Sequence, residues 1–443
     1  MPEIIVIGAG ISGLTVAHIL ARAAKEVLVL EESSHAGGKI VTNREEGYLL
    51  ESGPNSLRVE NQETIGLIEE LGLTERMIDA NPTSKKRYVL IKSRWIQLPR
   101  NPLEAITTPL LSIAGKLRIL LDPFVPKTNF DDESAASFVL RRLGQEILDY
   151  GADPFITGIF AGDAEKLSMK HAFPTMWQAE QKYGSLLKGL TKGRKGRSKD
   201  RIKPKVISFP EGLSELPTAL RGMLGDRLQL HSGAIGIERS AHGFCVTSSS
   251  GRFETSKIIF ALPAYDVAPI VRKFSSELSK QLLEIPYPPV AVVFLGYAEN
   301  QFANIPEGFG GLIPSKENRN ILGIIFSSSN FPNRAPEGHL LLTVLMGGAK
   351  KQEIANWEEN RILESAISEV WELLKPMGEP AFQRVNVWKH AIPQYNIGYG
   401  AVLGAIERAE SENPGLHFIG NYRGGISLGA CIKNATELVS SLV

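Results

Sequence analysis

The stretch Gly8-Ala9-Gly10-Ile11-Ser12-Gly13 constrains this chain more than any other, because of what flanks it. Residues 3–8 read E-I-I-V-I-G, a short β-branched run of the kind that forms a strand covered on both faces in a parallel sheet. Such a strand needs a crossover. Residues 14–24 supply apolar side chains at helical spacing, and V-L-V-L at 27–30 returns as a second strand that ends at Glu31. In this βαβ unit Gly8 permits a tight turn, Gly10 lets backbone approach a pyrophosphate, and Gly13 lets the helix pack on the strand. The helix start at Ile11 and Ser12 offers free N–H groups to phosphates, and Glu31, followed by Glu32, can accept hydrogen bonds from ribose hydroxyls. The unit predicts a dinucleotide site and leaves NAD and FAD both open.

At 443 residues the chain suits two or three sub-structures, each with its own apolar interior. A formal net charge of +1, with 22% charged and 43% hydrophobic residues, argues against a nucleic-acid binder and against a disordered chain. Only Cys245 and Cys431 occur, far apart, and the eight histidines are scattered, so neither a disulfide framework nor a metal centre is expected. A reducing, cytoplasmic setting fits. The apolar run at 4–20 lacks a basic leader and is broken by glycines, and no other stretch is long enough to span a bilayer. Any membrane contact should therefore be peripheral, on the inner face of the cell membrane. Two segments could make it: the Pro-broken apolar stretch 102–126, which reads either as buried core or as an interfacial patch, and the basic stretch 182–205, which reads as a solvated loop or as a partner for anionic headgroups.

Further along, E-E-S-S-H-A-G-G-K-I at 31–40 resembles the E-x-S-x-x-x-G-G-[RK]-x element of the amine-oxidase and GDI-like flavoprotein superfamily. That resemblance implies FAD, with Gly37 and Gly38 at the diphosphate and Lys39 as a nearby cation in place of the commoner arginine. Residues 415–429 resemble the C-terminal flavin signature, which implies that Gly420, Asn421 and Ile426 lie at the flavin end. By the same resemblance Gly53, Pro54 and Asn55 border the isoalloxazine, Ile235 meets the adenine, and Ala261 and Trp388 complete the cofactor set. Cys431 lies outside any covalent-attachment pattern, so the FAD should be held noncovalently.

Five motifs sharpen the likeness: E-S-G-P-N-S at 51–56, A-G-D-A-E-K-L-S-M at 161–169, F-P-E-G-L at 209–213, I-P-Q-Y-N at 392–396 and G-N-Y-R-G-G-I-S-L-G at 420–429. Together they resemble the protoporphyrinogen oxidase family over nearly the whole chain. The resemblance implies that Arg87 pairs with a substrate propionate, that Leu312, Ile325 and Leu345 enclose the macrocycle, and that Gly158 lines the cavity wall. It implies no catalytic side chain: hydride passes to the flavin, oxygen reoxidises it, and the protein orients the tetrapyrrole. Coproporphyrinogen oxidation, a flavin amine oxidase and a GDI-like binding protein remain alternatives. As a monomer or homodimer, the chain is expected to be α/β. Its FAD-binding Rossmann region would be assembled from 1–84, 206–267 and 387–443. A mixed-sheet substrate region would use 85–101 and 268–386, and 102–205 would form a helical lobe.

Overall fold

The computed structural model describes residues 2–189, 202–304 and 307–442, so the centre of the basic stretch 182–205 lies outside the described residues. At the middle of a five-stranded parallel sheet lies β1 (Ile4–Ile7), between β2 (Val27–Leu30) and the strand Lys257–Phe260. Leu228–Gln229 and Leu416–Phe418 form the two edges. Every residue of β1 is buried, because the sheet is covered on both sides. Ile4 and Val6 face α1 (Ile11–Arg22) and the helices Glu215–Leu224 and Leu428–Leu442, whereas Ile5 and Ile7 face Phe244, Val246, Val267 and Ala268. This two-sided cover explains why the strands read as unbroken apolar runs.

A second, seven-stranded sheet runs Phe382–Trp388, Val290–Ala298, His339–Gly347, Ile321–Phe326, Gly310–Leu312, Arg87–Ile91, Arg94–Gln97. All its pairings are antiparallel except that of Gly310–Leu312 with Arg87–Ile91. One face is closed by the helix Glu359–Leu374, whose Ile362, Ala366 and Val370 repeat at helical spacing and bury against Val293, Leu295 and Val344. The helix begins only at Glu359, since Gln352–Asn356 winds as a tight 3-10 turn and Trp357 is extended.

The helical lobe departs further from its sequence-based outline. Side-chain spacing suggests one helix over 132–149, but it is interrupted. Ala135–Leu143 stops at Gly144, whose φ of +92° closes the C-terminus, and the chain then widens into a π turn at Leu148–Ala152 before Asp153–Phe160. Side-chain spacing likewise suggests a helix over 172–190, but its described part is split: Met169–Ala172 ends before Pro174, Pro174–Tyr183 starts with proline at its first turn, and Gly184 terminates it with φ +68°. Most large apolar residues of 102–126 point outwards, Leu103, Ile113 and Phe124 being 76%, 78% and 82% exposed, whereas Leu110 and Leu111 are buried against Val89. Beneath them lies a buried ionic network: Arg142, without solvent contact, donates to Asp122 Oδ1 (2.7 Å), Glu180 Oε1 (2.6 Å) and Gly184 O (3.1 Å). Asp122 Oδ2 accepts in turn from Ser185 Oγ (2.5 Å) and Leu187 N (3.0 Å).

Candidate active site

The carboxyl ends of the parallel strands gather the expected cofactor residues, as open α/β sheets do. Gly8 leaves β1 with φ +105°, and a Cβ there would stand 2.9 Å from Ala261 O. A Cβ on Gly13 would fall 2.0 Å from Gly8 O, so the close approach of α1 to the turn depends on hydrogen at that position. Gly10 differs: a Cβ there would meet nothing within 4 Å, so its surface faces open space. Gly10 also bridges Gly37 in parallel, Gly37 N donates to Ala9 O (2.8 Å), and a Cβ on Gly38 would lie 3.3 Å from Gly10 Cα. Two glycine turns thus lie edge to edge beside the start of α1, at Ile11 and Ser12, whose N-terminus has no side-chain cap.

Around this cradle the other candidates fall as follows. Glu31 accepts from Ala9 N (2.6 Å), Ser33 N (3.0 Å) and Ser33 Oγ (2.9 Å), so its carboxylate braces the turn itself. Glu32 lies under Gly233, near the exposed Ile235, which sits at a register shift in the strand Ala234–Ser240. The pattern of 228–238 suggests a single strand, but two form, because His231 takes a left-handed φ of +54° between them. Ala261 N donates to Ile7 O (2.8 Å), and Ile419 N donates to Phe260 O, which brings Gly420, Asn421 and Ile426 to the same sheet end. Gly53 packs on the Lys39 carbonyl, Asn55 turns back to Gly53 O (3.3 Å) past Pro54, and Trp388 Nε1 donates to Ser52 O (2.6 Å).

The face of the seven-stranded sheet opposite the helix Glu359–Leu374 carries the expected substrate residues in two adjacent rungs. Register pairs Arg87 with Gly310, Gly310 with Ile325, Ile325 with Thr343, and Thr343 with Phe294. The next rung on the same face runs Val89, Leu312, Gly323, Leu345, Val292. A Cβ on Gly158 would lie 2.3 Å from Leu312 Cδ2, so that helix approaches the sheet only because the position is glycine. The Arg87 guanidinium lies 5.0 Å from the Phe309 ring centroid, and burial and then the charge of Arg58 push its pKa down.

Residues 11–437 match the family described as flavin containing amine oxidoreductase. The chain belongs to that family. It is an oxidoreductase, and a flavin is its cofactor. An Arabidopsis thaliana relative named protoporphyrinogen oxidase 2, chloroplastic/mitochondrial, is 32% identical, with 99% of this chain matched to 94% of the relative. A Bacillus subtilis relative named coproporphyrinogen III oxidase is 27% identical, over 99% of this chain and 97% of its own. A solved Exiguobacterium structure, provisionally named a protoporphyrinogen oxidase, superposes with a TM-score of 0.82 at 21% identity, covering 99% of this chain and 98% of that one. At that identity the superposition speaks for the flavoprotein fold alone.

Three features of this flavin oxidoreductase were not legible in the sequence. Glu51 and Arg334, 4% and 3% exposed, form a buried pair at 3.5 Å beside a cavity also lined by Asn55, Phe309, Ile325 and Thr343. Burial pushes the Glu51 pKa up and that of Arg334 down, and each charge opposes the shift of the other. Glu51 belongs to a recognised motif, but nothing marks Arg334, a lone arginine in a proline-rich loop. The second feature is Lys39, expected beside the diphosphate. Its Nζ donates to the carbonyls of His390 and Ala391 (3.1 Å to the latter) and lies 5.3 Å from the Trp388 ring centroid. Burial lowers the Lys39 pKa to about 8 against a smaller opposing charge from Asp266. The third is Asp266 itself, raised to about 6 first by burial and then by Glu32.

Proposed function

We propose that this flavin oxidoreductase oxidises protoporphyrinogen IX to protoporphyrin IX, using noncovalent FAD and molecular oxygen. The observation that carries this reading is the apolar sheet face of Leu312, Ile325 and Leu345 with the Arg87 guanidinium at its edge. Among the described residues no carboxylate pairs with that guanidinium, which suits it to a propionate supplied by a greasy macrocycle. The cradle fits FAD: open space over Gly10 admits a diphosphate that the start of α1, Gly37 and Gly38 would hold. Glu31 and Glu32 would take the ribose, Ile235 and Ala261 the adenine end, and Gly53, Pro54, Asn55, Trp388, Gly420, Asn421 and Ile426 the flavin end. When bound, FAD supplies hydride acceptance and oxygen-dependent reoxidation; removal of six electrons takes three such rounds. The chain's own part is to anchor one propionate at Arg87, hold the ring flat on the sheet and exclude water. Cys431 is buried in the core and its thiol is pushed up to about 11, which favours a packing role over attachment to the cofactor.

Arg58, close enough for its charge to depress Arg87, favours coproporphyrinogen III as a second reading, since that substrate carries two further carboxylates; Arg58 is also paired with Glu60 at 2.8 Å. Among the described residues no helix is long and apolar enough to cross a membrane. The outward Leu103, Ile106, Ile113, Leu117, Leu120 and Phe124 support peripheral seating on the inner face of the cell membrane instead. Anaerobic reduction of the bound flavin by each porphyrinogen tests the assignment; a flavin that neither porphyrinogen bleaches would remove it. Arg87→Ala should raise KM about tenfold to a hundredfold, the effect of one lost charged hydrogen bond, while FAD content stays at the wild-type level.

A further inference from the structure

The I-P-Q-Y-N motif at 392–396 has no role in the site described so far, yet two other motifs meet on it. Gln394 Nε2 donates to Phe160 O (2.7 Å) at the end of the helix Asp153–Phe160, Ser168 N donates to Tyr395 O (2.8 Å), and Asn396 bridges Leu167. These contacts join it to the segment 161–169. On its other side the Tyr395 hydroxyl donates to Asn421 O (2.5 Å) and accepts from Gly425 N (3.2 Å). One phenol thereby bridges two backbone groups four residues apart, across the turn that leads into the helix Leu428–Leu442. The ring is 4% exposed and stacked on Tyr399 with centroids 4.6 Å apart. Tyr399 resembles it in burial and stacking but donates to a single carbonyl, Tyr422 O (2.6 Å).

We propose that Tyr395 is a positioning residue for the flavin: its bridge sets the curvature of the 421–425 turn and ties that turn to the helical lobe. The inference rests on the FAD reading given above. Negative charge that develops on the flavin pyrimidine during reduction is stabilised by N–H groups only if they are already aimed at it. Without the bridge the turn relaxes, those groups lose their aim, and the reduced flavin is stabilised less than the oxidised one. Tyr399 reaches the same turn at one carbonyl, Tyr422 O, without spanning two groups of it, so it controls for loss of a single anchor without loss of the bridge.

The test compares Y395F and Y399F as holoenzymes. Y395F should bind FAD about tenfold more weakly, the change expected of one lost hydrogen bond. Its two-electron midpoint potential should fall by about 30 mV, which corresponds to a tenfold change in relative stabilisation. Y399F should lower Tm and leave the potential at the wild-type value. An unchanged potential in Y395F, or an equal shift in both variants, overturns the proposal. If Y395F does not fold, amide exchange in the wild type decides: the Gly425 N–H should be protected with and without FAD, and rapid exchange there refutes the bridge. Wild-type protein that takes up no FAD would sink the cofactor reading instead, a distinguishable result.

Discussion

In the five-stranded sheet Ile5, Val6, Val29, Ile258 and Ile259 have no solvent contact, whereas in the lobe around residues 102–126 Ile113 and Phe124 are the most exposed large apolar side chains among the described residues. The lobe is held underneath by Arg142, Asp122 and Glu180, all three without solvent contact, and by Arg141, which reaches Glu180 and Glu133. One region is stabilised by shape-matched apolar burial, in which a single added carbon is felt. In the other, an ionic network that needs particular partners is added beside the buried Phe138, Val139 and Trp177, while Leu103, Ile113 and Phe124 face outward. The network is sensitive to loss of one member, because the partners stay buried and uncompensated.

The largest effect should come from the glycine cradle. Gly13→Val would drive carbon into Gly8 O, so little folded protein and no bound flavin are expected, as read by soluble yield and visible absorbance. Gly10→Val meets open space, so the apo form should keep its thermal stability within about 1 kcal/mol while flavin uptake is abolished; a yellow Gly10→Val protein would refute the placement of the diphosphate. In the lobe, Arg142→Ala should cost about 3–5 kcal/mol, the range for breaking a buried pair, and proteolysis should then cut the lobe first. Burial pushes the Asp122 carboxyl up, but Ser185, the Leu187 N–H and Arg142 outweigh it and hold its pKa below the ordinary value. The resulting stability is therefore present above the unfolded pKa of about 3.9 and is lost as pH falls through the lower folded value. Acid unfolding should begin in the lobe, and simultaneous loss of both regions would contradict the contrast drawn between them.

Smaller effects sharpen the same contrast. Lys39 has a folded pKa of about 8, so in the apo protein its buried charge is destabilising below that pH. The penalty is relieved as pH rises towards the unfolded value of about 10.4, and Lys39→Met should flatten that rise in unfolding free energy. Least of all, Leu120→Ser combined with Phe124→Ser should change stability by no more than about 0.5 kcal/mol, since both side chains are mainly exposed, yet should reduce sedimentation with anionic vesicles. Unaltered sedimentation would mean that the exposed apolar face does not engage lipid.

How far the sequence could be read depended on the distance over which each residue acts. Gly8, Gly10 and Gly13 work within one turn of each other, and the first βαβ unit was legible without any knowledge of the rest. The rungs of the seven-stranded sheet were legible only through family resemblance, because Arg87 meets Gly310 and Leu345 meets Val292 across long stretches of chain. In the helical lobe Gly144 and Gly184 stop helices that side-chain spacing alone would continue. Glu51 and Arg334 were missed as a pair because neither carries a local sign of the other.

By itself, then, the sequence determined the buried strands, the glycine turns and the acidic end of β2, since these follow from backbone freedom and side-chain shape within a few residues. Tertiary structure alone decided that Lys39 turns to the carbonyls of His390 and Ala391, that one phenol spans Asn421 and Gly425, and that in 102–126 Leu103, Ile113 and Phe124 face outward while Leu110 and Leu111 are buried. The physical reason is that hydrogen-bond partners and burial are properties of the assembled chain, where groups hundreds of residues apart compete for the same few ångströms.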